Sequence, residues 1–255
     1  MKREFAKRLT RVYVQGALSQ GTVLELPAAA AVHLAKVLRA RSGDALVLFA
    51  GDGLEFAGTV ASVRGSRVTA VVGEGRKIDR ESPLAVTLVQ CVPRGDRMDF
   101  IVQKATELGV ARIVPVLSQR SILRLDESQA ASKAAHWRSV AVNACEQCGR
   151  NRLPAIDAPQ HLIHYLGSSP AAGARLHFEP EFESPGAANV AGAKVEIAIG
   201  PEGGFAAEEL EAFRISGFTA RRLGPRILRT ETAAIAALAW LQSNFGDLKA
   251  FPIKA

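Results

Sequence analysis

Two similar segments near the C-terminus constrain the fold of this chain more than any other feature. Residues 195–205 read VEIAIGPEGGF, and residues 223–238 read LGPRILRTETAAIAAL. Each pattern predicts a short strand, a loop rich in Gly and Pro, and then a helix. Because glycine has no Cβ, such a loop lets bare main chain approach a ligand. Two loops of this kind, so close in sequence, predict one small-molecule site built largely from backbone.

The first third of the chain has a different pattern. Short β-rich runs occupy residues 11–14, 44–50, 55–63 and 67–72, with turn sequences between the later ones. A short helix is predicted over residues 29–40. Strands joined by tight turns, with one helix, predict a small β-barrel.

The pattern changes again after residues 75–83, a polar segment that ends in proline and that we interpret as a linker. Residues 84–92 are almost continuously apolar, which is typical of a strand buried on both faces. Strands that alternate with helices predict a parallel α/β sheet. The elements predicted next are helices over about residues 97–108 and 126–148 and strands at residues 113–117 and 174–178.

The charge of the chain is unevenly distributed. The net charge is +7, and residues 1–80 hold 13 Lys and Arg against 7 Asp and Glu, whereas the remainder holds 19 against 18. A local positive field attracts polyanions. Solubility alone is the alternative for so small an excess, but its concentration in one segment favours RNA docking there.

The cellular compartment can also be predicted. No apolar run is long enough to span a bilayer, and the first residues lack the apolar segment of a signal peptide. Three cysteines are an odd, low number that suits a reducing cytosol. Cys145 and Cys148 lie late in a predicted helix without a second cysteine pair, so we interpret them as structural and expect no metal. We expect a cytoplasmic protein.

Six motifs, taken together, resemble one known family. They are HLAKVLR (33–39), RGDRMD (94–99), KATELG (104–109), EQCGR (146–150), IGPEGGF (199–205) and LGPRILRTETA (223–233). The last two are similar to motifs of the trefoil-knotted SPOUT methyltransferases that use S-adenosylmethionine. More narrowly, the set resembles the ribosomal RNA small subunit methyltransferase E family, which methylates N3 of a uridine in 16S ribosomal RNA.

This resemblance implies a fold, a cofactor and partners. It implies an α/β chain with a PUA-like RNA-binding β-barrel domain at residues 1–75 and a parallel-sheet, trefoil-knotted methyltransferase domain at residues 84–255. It implies S-adenosylmethionine as the cofactor, 16S ribosomal RNA within the small subunit as the substrate, a homodimer, and no metal. The small residues Ala233, Ala234, Ala236 and Ala237 would pack in the dimer interface.

The resemblance also implies site residues. The expected cofactor contacts are Phe178, Glu179, Ile199, Gly200, Pro201, Gly203, Gly204, Leu223, Gly224 and Leu228. The expected RNA contacts are Arg11, His33, Arg39, Arg120 and Arg150.

Arg229 and Glu231 are the candidate catalytic residues. Thr230 and Thr232 are candidate helix N-caps, but Arg229 would oppose the helix dipole there, so its position needs another reason. Removing the N3 proton of uracil places negative charge on O2 and O4, which a fixed guanidinium can stabilise. Glu231 would orient Arg229 or accept a proton through water.

Two alternatives remain open. Methyltransferases of the ribose 2′-hydroxyl resemble this chain at IGPEG, but their first motif carries Asn-x-Gly and then Arg-Thr-Ala. Residues 94–106 contain no Asn, and Lys104 stands in place of that Arg, which favours base methylation. The other alternative is a non-enzymatic RNA-binding protein, which the intact glycines and Arg229 disfavour.

Overall fold

The chain divides into two units, and one of them is interrupted in sequence. The computed structural model describes residues 9–121, 125–168, 173–182, 190 and 194–248. One unit comprises Met1–Glu81 with Cys145–Leu153, and the other comprises Ser82–Ala144 with Pro154–Ala255. The first unit therefore includes a short segment, Cys145–Leu153, that lies far along the chain. The predicted domains, 1–75 and 84–255, are by contrast each continuous in sequence.

The first unit is built around a five-stranded sheet with strand order β1-β3-β4-β5-β2. β1 and β3 are parallel and the other pairs are antiparallel. The four predicted strands are confirmed, while the three-residue β2 was missed because so short a run carries almost no periodicity. The elements are β1 (Thr10–Tyr13), β2 (Val23–Glu25), α1 (Ala28–Val32), β3 (Ala45–Phe49), β4 (Leu54–Arg64) and β5 (Arg67–Lys77).

The predicted helix at residues 29–40 is shorter and less regular than expected. After α1 the chain makes a π-helical turn over His33–Val37, in which the Leu38 N–H donates to the His33 carbonyl at 3.0 Å. Arg39 then has a φ of 53°, a left-handed conformation that ends the helix.

The second unit contains a parallel sheet, as predicted. Its strand order is β12-β10-β11-β6-β7-β8, and β9 also pairs with β7. The strands are β6 (Ala85–Cys91), β7 (Arg112–Leu117), β8 (Ala155–Ile156), β9 (Gln160–His161), β10 (Ala174–Phe178), β11 (Lys194–Ile199) and β12 (Thr219–Arg221). The helices are α2 (Arg97–Glu107), α3 (Glu127–Cys148), α4 (Leu162–Ser168), α5 (Ala207–Ile215) and α6 (Thr230–Phe245).

Both faces of this sheet are buried, which explains the continuous apolar run of β6. Val86 and Leu88 contribute to one core with residues of α2 and α6. Val89 and Cys91 contribute to the opposite core with residues of α4 and α5. Among the described helices, none combines the length and apolar character that crossing a bilayer requires.

The sheet aligns the ends of three strands. In the β10–β11 register Phe178 lies beside Ile199, and in the β10–β12 register Phe178 lies beside Arg221. The loops that leave β10, β11 and β12 therefore start at the same edge of the sheet. Ligands of open parallel sheets bind at the carboxyl ends of strands, so we expect a ligand-binding site at this edge.

His177 of β10 is a buried titratable group on the face that packs against α5. Its ring stacks on Phe213 with centroids 4.8 Å apart. Its Nδ1 atom is buried and has no hydrogen-bond partner in the described part of the chain. Burial lowers the pKa of His177 to about 4.

We predict that His177 makes the free energy of unfolding pH-dependent. Because the folded-state pKa lies below the ordinary 6.5, the unfolded chain binds more protons between pH 6.5 and pH 4. Stability contributed by the neutral ring is therefore present above pH 6.5 and is lost as the pH falls, by up to about 3 kcal/mol. Urea titrations across this window should show a weaker pH dependence for His177→Phe than for the wild type. Equal slopes for the two proteins would contradict this role.

Candidate active site

A cavity of about 270 Å³ opens at the carboxyl ends of β10, β11 and β12. Its wall consists of the loops that follow these strands and the first turn of α6. The two Gly- and Pro-rich loops found in the sequence therefore share one cavity. Eight of the ten expected cofactor-binding residues line it: Phe178, Glu179, Ile199, Gly200, Pro201, Gly204, Leu223 and Leu228.

The remaining two glycines, Gly203 and Gly224, are not among the lining residues. Arg120 covers Gly203, and its Nη1 donates to the Gly203 carbonyl at 2.7 Å. Gly224 has a φ of 73°, which only glycine adopts without strain, so it is needed for a turn of the main chain. Both glycines belong to the loops of the cavity without being among its lining residues.

The side chain of Thr230 joins the two loops. Thr230 is buried, its hydroxyl donates to the Gly200 carbonyl at 2.7 Å, and it accepts a hydrogen bond from Gln90 Nε2 at 2.9 Å. The prediction that Thr230 is a helix N-cap is wrong, because Arg229 occupies that position and no side chain caps the helix. The hydroxyl instead connects the start of α6 to the end of β11.

Arg97 of α2 connects the same two loops through ion pairs. Its Nη1 lies 2.8 Å from Glu202 Oε1, and its Nε lies 3.9 Å from Glu231 Oε1. The Arg94 amide also donates to Glu202 Oε1, at 3.4 Å. Sequence reasoning found the motif that contains Arg97 but gave this residue no role, because nothing in a linear pattern links it to residues more than a hundred positions away.

The two candidate catalytic residues have different surroundings. Arg229 is exposed and lines the cavity. Glu231 lies behind the wall, where its Oε2 is buried without a hydrogen-bond partner in the described part of the chain. The expected contact between Glu231 and Arg229 is not present among the described residues, and the ionic neighbour of Glu231 is Arg97.

Glu179 supplies a carboxyl group inside the cavity. It follows the last residue of β10, and the Glu179 N–H donates to the Arg221 carbonyl at 2.9 Å. Burial, and then repulsion from Glu181, raises the pKa of the Glu179 carboxyl. The cavity thus combines apolar side chains, main chain, several arginines and one carboxyl group that has no ion pair among the described residues.

Two of the five expected RNA contacts are buried, and the expectation is corrected for both. Arg11 pairs with Glu55 at 2.7 Å and donates to Asn151, and Arg150 pairs with Glu81 at 2.5 Å. Burial alone would raise the pKa of Glu55, but its hydrogen bonds, foremost that from Arg11, lower it overall. These guanidinium groups are held inside the first unit, so we assign them a structural role.

The other three expected RNA contacts are exposed. His33 begins the π-helical turn and Arg39 follows it, and both are exposed on the first unit. Arg120 is exposed on the second unit, beside Gly203.

Nothing in the described residues suggests a metal site. No group of three or more His, Cys, Asp or Glu side chains within the described ranges is arranged to hold a metal ion. Cys91 and Cys145 are buried, and Cys148 is partly buried.

Two known protein families match segments of this chain. Residues 80–242 match the family described as RNA methyltransferase domain, and residues 26–73 match the RNA methyltransferase PUA domain. Ribosomal RNA small subunit methyltransferase E of Buchnera aphidicola subsp. Schizaphis graminum is 32% identical over 247 residues, covering 95% of this chain and 99% of that protein. The Bacillus subtilis protein of the same name is 31% identical and covers 81% of this chain and 84% of its own length.

Solved structures resemble the whole chain. A ribosomal RNA small subunit methyltransferase E from Neisseria gonorrhoeae, bound to S-adenosylmethionine, superposes with a TM-score of 0.88 at 37% identity, covering 95% of this chain and 100% of that one. A Legionella pneumophila putative methyltransferase in complex with bound S-adenosylmethionine gives a TM-score of 0.87 at 37% identity, with the same coverage.

The parallel sheet, the cavity at its carboxyl edge and the PUA-like unit together define an RNA methyltransferase. The chain belongs to the ribosomal RNA small subunit methyltransferase E family. The PUA-like fold predicted for the first unit and the α/β fold of the second are confirmed. The trefoil knot and the homodimer remain predictions.

Proposed function

We propose that this protein transfers a methyl group from S-adenosylmethionine to N3 of a uridine in 16S ribosomal RNA, in the cytoplasm and as a homodimer. The observation that carries the proposal is the position of Arg229, whose exposed guanidinium lies at the wall of a cavity lined by two glycine-containing loops. Relatives named for small-subunit ribosomal RNA methylation, and solved relatives with S-adenosylmethionine bound, support it.

The residues of the cavity fit this cofactor. Phe178, Leu223 and Leu228 offer apolar surface for a flat base, and Gly200 offers bare main chain. Glu179 offers a carboxyl group to a ligand that carries hydroxyl and ammonium donors. A ligand site of this kind is mostly apolar with a few placed polar groups.

The residues of the chain contribute mainly alignment and charge. When bound, the cofactor supplies a methyl group on a sulfonium, which is already electrophilic. Uracil becomes a good nucleophile only when its N3 proton leaves and negative charge spreads over O2 and O4. Arg229 stabilises this charge as it develops, because a fixed guanidinium needs no reorganisation. Arg97, Glu202 and Glu231 keep the start of α6 against the cofactor loop, so that Arg229 points to the reacting base.

RNA docking by the first unit involves fewer residues than the sequence suggested. Because Arg11 and Arg150 are buried, we keep His33 and Arg39, which are exposed at the start of the π-helical turn and two residues after its end. A histidine ring can stack on a base, and an arginine can pair with a phosphate.

Gly200 should be sensitive to substitution because it contributes bare main chain to the cavity. A Cβ at Gly200 would lie 3.3 Å from the Phe205 ring, a tight contact that would displace the main chain at the cavity wall or the ring behind it. Gly200→Ala should weaken S-adenosylmethionine binding roughly tenfold, a typical overpacking penalty. Gly203→Ala is the matched control, because its Cβ would lie at an ordinary 3.5 Å from Arg120 and outside the cavity lining. Titration calorimetry measures both, and equal losses would contradict this assignment.

The methylated atom can be identified by reverse transcription. A methyl group on N3 replaces a Watson–Crick donor, so reverse transcriptase should stop one nucleotide before the modified uridine even with abundant nucleotides. Small-subunit RNA incubated with the protein and S-adenosylmethionine should acquire one strong stop. Arg229→Ala should abolish the stop and leave cofactor binding largely intact, because the charge it stabilises develops in the transition state.

Other outcomes of this assay reject parts of the proposal. Methyl transfer without a stop would favour the ribose 2′-hydroxyl, which leaves the pairing edge intact. A normal stop with Arg229→Ala would remove Arg229 from its role. No cofactor binding by folded protein would favour the non-enzymatic alternative.

The homodimer predicts a light-scattering mass of about twice 27.1 kDa. Ala234 and Ala237 cannot contact a partner as expected, because both are completely buried in the chain's own core. Thr232, Ile235, Ala236 and Ala239 form the accessible stripe of α6 at helical spacing. Ala239→Glu should place an unpaired charge in the interface and reduce the mass to one chain without unfolding it. A fully active wild-type monomer would contradict the dimer.

A further inference from the structure

The loop between β12 and α6 carries three arginines at the wall of the cavity. Arg222, Arg226 and Arg229 all line the cavity and all are exposed. Arg222 donates to the Pro225 carbonyl at 3.3 Å. The guanidinium groups of Arg226 and Arg229 have no hydrogen-bond or ion-pair partner in the described part of the chain. Ile227 between them is 82% exposed, so this loop projects into solvent.

Among the lining residues that the structure describes, the acidic groups do not balance Arg226 and Arg229. Two carboxyl groups, those of Glu179 and Glu202, are among the lining residues, and Glu202 already pairs with Arg97. Glu179 is then the one carboxyl group left to face the two guanidinium groups of Arg226 and Arg229, so the described part of the cavity wall has a surplus of positive charge.

This surplus opposes the proposed cofactor. S-adenosylmethionine has a sulfonium and an ammonium group against one carboxylate, so its net charge is positive. A cation that enters a positively charged cavity is repelled unless an anion is also present. Of the two guanidinium groups that have no partner in the described part of the chain, that of Arg229 is assigned to the uracil oxygens, which leaves Arg226 without an anion in the reaction.

We propose that Arg226 holds a phosphate of the RNA strand beside the target uridine, and that this phosphate strengthens cofactor binding by neutralising the wall of the cavity. The inference rests on the proposed function and extends it. RNA recognition then involves the second unit as well as the first. The excess of positive charge in the sequence, by contrast, lies almost wholly in residues 1–80. Binding of RNA and binding of the cationic cofactor are coupled, and the coupling is reciprocal.

Two non-reactive analogues separate charge from shape. Sinefungin keeps a positive charge in place of the sulfonium, whereas S-adenosylhomocysteine has no net charge. Calorimetry would measure the affinity of each analogue with and without a single-stranded RNA that contains the target uridine. RNA should tighten sinefungin binding about twofold to fivefold more than S-adenosylhomocysteine binding, the size expected for a partly screened unit charge.

Substitutions of Arg226 test the residue itself. Without RNA, Arg226→Gln should bind sinefungin more tightly than the wild type, again about twofold to fivefold, and S-adenosylhomocysteine equally well. The RNA-dependent preference for sinefungin should shrink, and the log–log salt slope of RNA binding should fall by about 0.7 for one lost phosphate contact. Arg226→Lys keeps the charge and should resemble the wild type. Arg214→Gln removes an exposed guanidinium of α5 that is not among the lining residues, and it should change none of these quantities.

Three results would overturn the inference. One is an equal response of the two analogues to RNA. Another is weaker binding of both analogues by folded Arg226→Gln without RNA, which would assign this guanidinium to the cofactor's carboxylate. The third is an unchanged RNA affinity and salt slope in Arg226→Gln. A wild-type protein that transfers no methyl group to RNA would instead reject the proposed function, so the two failures are distinguishable.

Discussion

The site depends on two hydrogen bonds made by the buried hydroxyl of Thr230. It donates to the Gly200 carbonyl and accepts from Gln90, and both Thr230 and Gln90 are buried. A buried polar group is costly when it loses its partners, so this junction strongly favours one arrangement of the two loops. Since Gln90 lies on β6 beside Ile199 of β11, the sheet register itself places the start of α6. Arg229 reaches the cavity because it immediately precedes Thr230.

Charge is used differently in the two units. In the first unit, arginines that appear from the sequence to be available for RNA are buried in ion pairs with Glu55 and Glu81. Breaking such a pair leaves an uncompensated buried charge, so these residues favour one fixed arrangement of the first unit. In the second unit, whose net charge is small, arginines concentrate on one exposed loop. Net charge along the sequence therefore favoured RNA as the partner, but it did not identify the loop on which exposed arginines concentrate.

Much of the fold could be predicted because it follows from local periodicity. The apolar run of β6 and the alternation of strands and helices identified the parallel sheet. The cavity could be predicted because a glycine-rich loop after a strand lets the main chain approach a ligand closely. What could not be predicted depends on partners distant in sequence: the Arg97–Glu202 ion pair, the burial of Arg11 and Arg150, and the recruitment of Cys145–Leu153 by the first unit. The N-cap prediction for Thr230 failed for the same reason, because its hydroxyl bonds to a carbonyl thirty positions away.

We propose one cofactor site, formed by two loops that Thr230 joins. Hydrogen–deuterium exchange with increasing S-adenosylhomocysteine tests this most directly, because it reports on each loop separately in the intact protein. Amides of residues 200–205 and 223–229 should gain protection together, with one shared midpoint, and Thr230→Val should shift both midpoints equally. Protection of one loop alone, or different midpoints for the two, would contradict a single shared site.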